Sequence, residues 1–459
     1  MHLARWLWLL LLSCSVCFLS PHSAVAQDMN DDGDDATFAH AHPEDLGLQI
    51  PVGEPIAGGG RRVTVSADDG AIVVAKLHVE IGDRYIVIMP DGKLRSIPTS
   101  AAELTEEPYV GYTADGMIER LTADQFPEFN GRKTTHFVFI YNTSPEFQTA
   151  TSRILESMYR PLLQYFKRQK FEVADPDTPL VVIMFRTREE FDAFRPMPSG
   201  VAAYYDMVSN YVILHEQSEL TEIAPELAVK QSISTIAHEG VHQILHNIGV
   251  QQRLSEWPQW ISEGLPEFFA PTDTSRRIRW KGLFQVNDLR LHTLVKHFEK
   301  VGVDAGRAQL IDPVIAADEL DALGYAKSWA LTHFLSKARR DEMFDFLREV
   351  STAEPLAEPM DSEALFKKYF GEDTDQLSTL LTAHLNKMEY VDPWENQTHY
   401  LVMVETATDR QTLVTPSPTR IEQWREELSH RYGNAFQINV RAYANKGQAR
   451  NAGKLWLGR

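Results

Sequence analysis

The sequence has almost no cysteine: Cys14 and Cys17 are the only two in 459 residues. Both lie in an apolar run from Trp6 to Leu19, which the small residues Ala24-Val25-Ala26 follow. This order is typical of a secretory signal peptide, so we expect residues 1–26 to be removed on export. The exported chain, periplasmic or extracellular, would then contain no disulfide, no reactive thiol and no cysteine-bound zinc.

Long hydrophobic runs are lacking as well. The N-terminal run is shorter than the roughly eighteen residues that a membrane span requires. We therefore expect no transmembrane span after signal cleavage. Two alternatives remain open, an uncleaved membrane anchor and a lipoprotein acylated at Cys14.

Basic residues are scarce relative to acidic ones. There are 45 Lys and Arg residues against 64 Asp and Glu residues, a formal net charge of -19. Phosphate binding needs clustered Lys and Arg, so we expect no nucleic-acid partner. The acidic segment 27–47 has the composition of a disordered linker. The last 19 residues are basic, which predicts a solvated tail or a contact with an anionic partner.

The chain after this linker divides into three parts by pattern. Between residues 48 and 110, short β-rich runs alternate with pairs such as Asp69-Gly70 and Asp91-Gly92, which are hairpin signals. They predict a small SH3-like antiparallel β-barrel that binds an unknown partner or the rest of the chain. From 130 to 390, strands and helices alternate and then give way to helices, and 391–459 predicts a small α/β appendage. The fold class is α+β, with a mixed sheet and a helical C-terminal half in the middle part.

The most informative stretch is His238-Glu239-Gly240-Val241-His242, which has the form H-E-x-x-H. Apolar residues at three- and four-residue steps around it predict an amphipathic helix from Glu226 to Gly249. On such a helix, His238 and His242 lie on one face and can bind one metal ion. His246 lies about 12 Å along the axis from His238, so we expect it to pack or cap rather than bind that ion.

A second motif, Trp260 to Phe269 with the letters WISEGLPEFF, follows twenty residues later. Catalytic zinc commonly takes three protein ligands, and two His with one Glu is a known set, so Glu263 is the predicted third ligand. The two motifs together resemble the gluzincin metallopeptidases, the thermolysin and aminopeptidase N superfamily. The second motif is similar to a helix of exported bacterial gluzincin-like domains of unassigned activity. The metzincin pattern is excluded, because Leu245 and Ile248 stand where it requires Gly and His.

The resemblance implies a role for each of several residues. It implies one Zn²⁺ bound by His238, His242 and Glu263, a zincin-like fold, and Glu239 as the general base that takes a proton from water. Glu267 would hydrogen-bond a zinc-binding histidine, although Pro266 departs from the family pattern and could kink the helix.

The resemblance also implies residues that contact the substrate. Tyr325 would stabilise an oxyanion, with His333 as the alternative donor. The strand from Ala202 to Tyr205, with Ala202, Ala203 and Tyr204 as its core, would pair with an extended substrate as an edge strand. It lacks the amine-binding Gly-x-Met-Glu-Asn element of aminopeptidases, which favours an endopeptidase.

The sequence therefore predicts an exported zinc metallopeptidase that acts on a peptide or protein. The alternative is a gluzincin-like protein without catalytic activity that serves in binding or as an envelope scaffold. The presence of Glu239 favours the enzyme, because a purely structural zinc site needs no general base.

Overall fold

The computed structural model describes residues 43–458 apart from 68, 223, 275–276, 394–396 and 434. The predicted signal peptide, 1–26, lies outside the described residues, as does most of the predicted linker, 27–47. The end of that linker, residues 43–47, forms a turn in which the N–H of Gly47 donates to the carbonyl of Glu44. Leu48 follows it and is buried.

The N-terminal β-module is a single antiparallel sheet. Its strands are β1 (Ile56–Ala57), β2 (Arg62–Ser66), β3 (Ile72–Ile81), β4 (Arg84–Ile88), β5 (Leu94–Pro98) and β6 (Glu103–Thr105). Their order is β5-β4-β3-β2-β6, and β1 pairs with β3. The four strands predicted from the Asp-Gly pattern are confirmed. The prediction of a closed barrel is wrong, because β5 and β6 do not pair with each other within the described chain.

The central part is built on a five-stranded mixed sheet. Its elements are α1 (Ala114–Ala123), β7 (Asn130–Lys133), β8 (Phe137–Tyr141), α2 (Pro145–Arg168), β9 (Leu180–Phe185), α3 (Arg188–Phe194), β10 (Ala203–Asp206) and β11 (Tyr211–His215). The order is β10-β11-β9-β8-β7, with β8, β9 and β11 parallel and both edge strands antiparallel to their neighbours. Every residue of β9 is buried, as its continuous apolar run predicts for a central strand.

Helices form most of the chain that follows this sheet. They are α4 (Pro225–Asn247), α5 (Gln259–Phe269), α6 (Asp288–Val301), α7 (Val303–Ala308), α8 (Asp312–Ile315), α9 (Ala322–Ala338), α10 (Arg340–Val350), α11 (Ser362–Phe370) and α12 (Thr374–Leu385), with the short strands β12 (Thr272–Asp273) and β13 (Arg279–Trp280) after α5. The buried side chain of Gln243 fixes α4 to the sheet, because its amide donates to the carbonyls of Val181 and Asn210 at 2.9 and 2.8 Å.

The C-terminal appendage consists of β14 (His399–Thr406), β15 (Arg410–Thr415), α13 (Pro418–Tyr432), β16 (Phe436–Tyr443) and α14 (Lys446–Trp456). The sheet order is β15-β14-β16. Helices α13 and α14 pack against β14 side chains from alternate positions, hence on opposite faces of the sheet. Helix α14 buries Ala449 against the sheet, while its basic side chains are exposed to solvent. None of the helices in the described ranges is long and apolar enough to cross a membrane.

The β-module is docked on the tip of the hairpin formed by β10 and β11. The N–H of Leu94 on β5 donates to the carbonyl of Val208 at 2.7 Å. Arg253 donates through Nη1 to the carbonyls of Gly92 and Met207 at 2.8 and 3.4 Å. These contacts join the β-module to the hairpin and to the loop after α4.

His78 is a titratable residue at the contact between the β-module and the loop after α4. Its Nε2 donates to the carbonyl of Arg253 at 2.7 Å. Burial, and then the nearby charge of Arg253, lower the pKa of His78 from 6.5 to about 4. The neutral ring is therefore the folded form at neutral pH.

We expect His78 to make the protein acid-sensitive. The unfolded chain protonates this ring first as the pH falls below 6.5, so its contribution to stability is present above pH 6.5 and is lost towards about pH 4. His78→Gln keeps a donor but does not titrate. Thermal unfolding between about pH 7 and pH 4.5 should show a smaller loss of stability in this variant, by on the order of 1 kcal/mol. The exposed His430→Gln is the control, and equal losses in all three proteins would contradict the prediction.

Candidate metal centre

Helix α4 places His238, Glu239 and His242 in the interior. Pro225 is in its first turn, where the missing N–H needs no partner. The helix stops before Gly249, whose φ of +90° suits glycine and confirms the predicted end. Residues 238–245 are all buried. Gly240 lets α2 approach, because a Cβ there would lie 2.2 Å from Cδ2 of Leu155.

Helix α5 brings Glu263 to the two histidines. Nε2 of His238 lies 3.0 Å from Oε2 of Glu263 and 3.2 Å from Nε2 of His242. The third separation, between Nε2 of His242 and Oε2 of Glu263, is 3.5 Å. These three donor atoms form a compact triangle that could hold a metal ion, as the sequence predicted.

The size of the triangle fits a tetrahedral ion. Zinc binds imidazole nitrogen and carboxylate oxygen at about 2.0–2.2 Å, so two ligands of a tetrahedral site lie about 3.3–3.6 Å apart. The observed separations of 3.0, 3.2 and 3.5 Å approach or match that value. The two helices therefore need little adjustment to receive such an ion.

The charges of the site also favour a divalent cation. Glu239, Glu263 and Glu267 are only 5%, 2% and 3% exposed. Ionised, they carry three negative charges, and Arg290, which pairs with Glu267, supplies one positive charge. With neutral imidazoles the balance is −3 + 1 = −2. Uncompensated buried charge is costly, and a divalent cation removes it.

The same excess of negative charge acts on His238. Burial by itself lowers the pKa of this ring, but the carboxylates of Glu267 and Glu263 outweigh burial and raise the pKa to about 10. A proton on His238 and a metal ion between the ligands would thus each offset the negative charge of the buried carboxylates. Binding of a metal ion must displace that proton.

Glu267 contacts His238 at the ring nitrogen that faces away from Glu263. Its Oε1 lies 3.0 Å from Nδ1 of His238 in an ion-pair contact. Arg290 donates to the same oxygen at 2.6 Å, and Asn287 donates to Oε2 at 2.8 Å. Burial raises the pKa of Glu267, but Arg290 and His238 overcome it and lower the pKa to about 2. The helix continues through Pro266, so the proline does not separate Glu267 from Glu263.

Glu239 is held by strand β10. The N–H of Tyr205 donates to Oε2 of Glu239 at 2.8 Å. The ring of Tyr205 stacks on His246 at 5.3 Å, and its hydroxyl donates to Oδ1 of Asn210 at 2.8 Å. His246 is thus a packing residue, as expected. Tyr205 joins the candidate general base to the edge of the sheet.

The predicted substrate strand needs two corrections in detail. β10 is an edge strand, but it begins at Ala203, so Ala202 lies just outside it, and its carbonyl accepts from the N–H of His215 at 3.2 Å. Tyr204 packs its ring on Phe191 at 5.6 Å, away from Glu239. Main-chain direction alternates along such a pair, so Ala203 and Tyr205 turn their N–H and C=O groups outward.

Tyr325 lies beside the metal ligands and His333 does not. The ring of Tyr325 on α9 is 6.0 Å from that of His238, and Arg290 lies over it at 5.1 Å. Burial and the charges of Glu263 and Glu239 raise the pKa of Tyr325, so it stays a hydrogen-bond donor. His333 instead contacts His384 on α12, Nδ1 to Nε2 at 2.9 Å.

Close packing of two helices places Tyr325 there. Helix α5 lies against α9 at Gly264, where a Cβ would lie 3.0 Å from the carbonyl oxygen of Ser328. Glycine is therefore required directly after Glu263.

Sequence reasoning missed Arg290, Asn287 and the role of the Tyr205 N–H. Asn287 caps α6, since its side chain accepts from the N–H of Arg290, and that is a local signal for a helix start. The sequence does not indicate that the start of α6 lies beside Glu267, so neither residue could be assigned to the site.

One comparison with known proteins bears on this region. A family model described as a protein of unknown function, DUF1570, matches residues 232–357. This segment begins within α4 and ends after α10, so it includes both metal motifs and Tyr325. No curated protein matches the chain.

We expect Glu263→Gln to abolish stoichiometric metal binding, because an amide oxygen is a weaker ligand and leaves the charge of the site less negative. Elemental analysis of the purified protein after dialysis against zinc should find about one ion in the wild type and close to none in the variant. Glu128→Gln, at an exposed position, is the control. Equal metal content in a folded Glu263→Gln variant would contradict the assignment of this ligand.

Proposed function

We propose that the protein is an exported zinc-dependent metallopeptidase of the gluzincin type, acting as an endopeptidase on peptides or proteins. The observation that carries this proposal is the triangle of His238, His242 and Glu263 donor atoms beside Glu239. A zinc ion bound there would polarise the peptide carbonyl and make water more acidic. The DUF1570 match gives no activity, so the proposal rests on the chemistry of these residues and on the gluzincin resemblance.

Glu239 is the group that would move the proton. Its carboxylate is buried next to the ligand triangle, and one oxygen is already oriented by the N–H of Tyr205. A carboxylate in this position can accept a proton from water and deliver it to the leaving amine.

The outer edge of β10 supports binding of an extended chain. Ala203 presents its main-chain N–H and C=O on the side away from β11, and Tyr205 presents its C=O there, while the N–H of Tyr205 donates to Glu239. A substrate backbone added to this edge would run past Glu239, which is β-strand addition. Hydrogen bonding between the main chains of β10 and a substrate does not depend on the substrate's side chains and needs no free terminus. This mode of binding agrees with endopeptidase action.

In this proposal, Tyr325 would donate to the carbonyl oxygen as negative charge develops on that oxygen. Its raised pKa keeps the proton on the hydroxyl, and Arg290 over the ring holds it in place. A buried donor aimed at developing charge stabilises the transition state more than the ground state.

We expect Glu239→Gln to keep the metal ion and lose cleavage by about a hundredfold or more, because the amide cannot accept the proton. The assay is digestion of a peptide library, with and without a chelator, followed by mass spectrometry. Glu226→Gln, exposed on the same helix, is the control. Chelator-independent cleavage, or full activity in Glu239→Gln, would contradict the proposal. A zinc-loaded wild type that cleaves no peptide would favour the alternative of a binding or scaffold protein.

For Tyr325→Phe we expect metal content to be unchanged and kcat to fall by about a hundredfold, because the variant loses one donor to the oxyanion but keeps the ring and its packing. Steady-state kinetics on a peptide found in the library should show the loss in kcat rather than in KM. Tyr369→Phe, remote from the site, is the matched control. Undiminished turnover in Tyr325→Phe would reject this role.

A further inference from the structure

A cavity of about 170 Å³ with both polar and apolar lining lies where the β-module meets the central part of the chain. His78 and Tyr109 line it from the module side, and Thr178 and Asn210 from the sheet. Gln251 and Arg253, in the loop after α4, complete it. The residues of the candidate metal centre do not line this cavity.

Arg253 is a buried cation without a counter-charge. Its side chain belongs to a residue that is only 6% exposed, and Nη1 donates to two main-chain carbonyls. Across the part of the chain that the structure describes, no carboxylate lies within 4.0 Å of it. The nearby Asp206 pairs with Arg195 at 3.0 Å and Asp91 with Lys93 at 3.9 Å. Nε and Nη2 have no acceptor among the described residues, so both can donate to a molecule in the cavity.

Gln251 supplies a second polar group to the same cavity. The residue is 5% exposed and lines the cavity. Its side-chain amide makes no hydrogen bond to any of the described residues, so it is available to donate to a molecule in the cavity.

The remaining groups of the cavity set the charge of a ligand. Lys76 and Asp177 form an ion pair and cancel. The pKa of His78 is lowered to about 4, mainly by burial, so this ring is neutral near pH 7. Arg253 is then left with a net charge of +1, which matches a monovalent anion better than a phosphate dianion.

We propose that this cavity binds a small organic monocarboxylate, with the carboxylate on the fork of Arg253 and one of its oxygens also accepting from the amide of Gln251. The guanidinium fork matches a planar carboxylate through two parallel hydrogen bonds. The volume is close to the 150 Å³ of a cavity that holds benzene, so a ligand of about six to eight non-hydrogen atoms fits. This site is separate from the proposed peptidase centre and does not depend on its activity.

The test uses the full-length protein with zinc, with butyrate and N-acetylglycine as probes in calorimetry and thermal unfolding. Butyramide, which has the same shape without the charge, and inorganic phosphate are the comparison ligands. We expect both carboxylates to bind and to raise the unfolding temperature, with butyramide and phosphate inactive. Arg253→Lys loses the fork but keeps the charge, and Gln251→Leu removes the amide. Each should weaken binding by about tenfold or more.

Two controls separate this site from the metal centre and from the fold. Glu263→Gln lacks a metal ligand, so binding that persists in it belongs to the cavity. The exposed Arg160→Lys on α2 should bind the probes as the wild type does. No binding of either carboxylate to folded protein, binding of phosphate alone, or unchanged binding in Gln251→Leu would overturn the proposal. If Arg253→Lys does not fold, Gln251→Leu decides the question.

Discussion

The buried negative charge of Glu239, Glu263 and Glu267 is the constraint on which the centre of this structure depends. Three carboxylates are packed into an interior where water cannot solvate them, and one arginine neutralises one of them. What remains requires a cation, and two imidazoles and a carboxylate oxygen are already arranged around a space of suitable size. The packing of three helices and the ordering of α6 by its cap at Asn287 serve to keep these charges in place.

The central sheet contributes to the candidate metal centre through its edge strand β10. Strand β10 gives one main-chain N–H to Glu239, and the hairpin to which it belongs is held at its tip by the β-module. A domain that carries no catalytic group of its own therefore supports the strand beside the general base candidate. The contact between the β-module and the hairpin includes neutral His78 and buried Arg253. The stability of this contact therefore depends on the protonation of His78, independently of the metal ligands.

Much of the local structure could be predicted, because its causes are local. The period of α4, the apolar run of β9 and the Asp-Gly turns of the β-module each follow from neighbouring residues, and the spacing of the two motifs was sufficient to bring together His238, His242 and Glu263. Contacts between distant elements could not be predicted. Arg290 reaches Glu267 because α6 packs on α9 with its first turn beside α5. The β-module contacts the hairpin of β10 and β11, which lies more than a hundred residues further along the chain. The strand β15 and the helix α14 were not predicted, because short polar or basic segments resemble loops in sequence. Their structure depends on packing against the rest of the appendage.

The match to DUF1570 begins at residue 232, after the last strand of the central sheet. The matched segment therefore contains the ligands and the helices behind them but none of the five strands on which α4 rests. Expressed alone, residues 232–357 would expose Ile236, Ile244 and their neighbours to water and leave the amide of Gln243 without its acceptors. The segment that sequence comparison recognises is thus smaller than the packed unit in which the metal ligands lie.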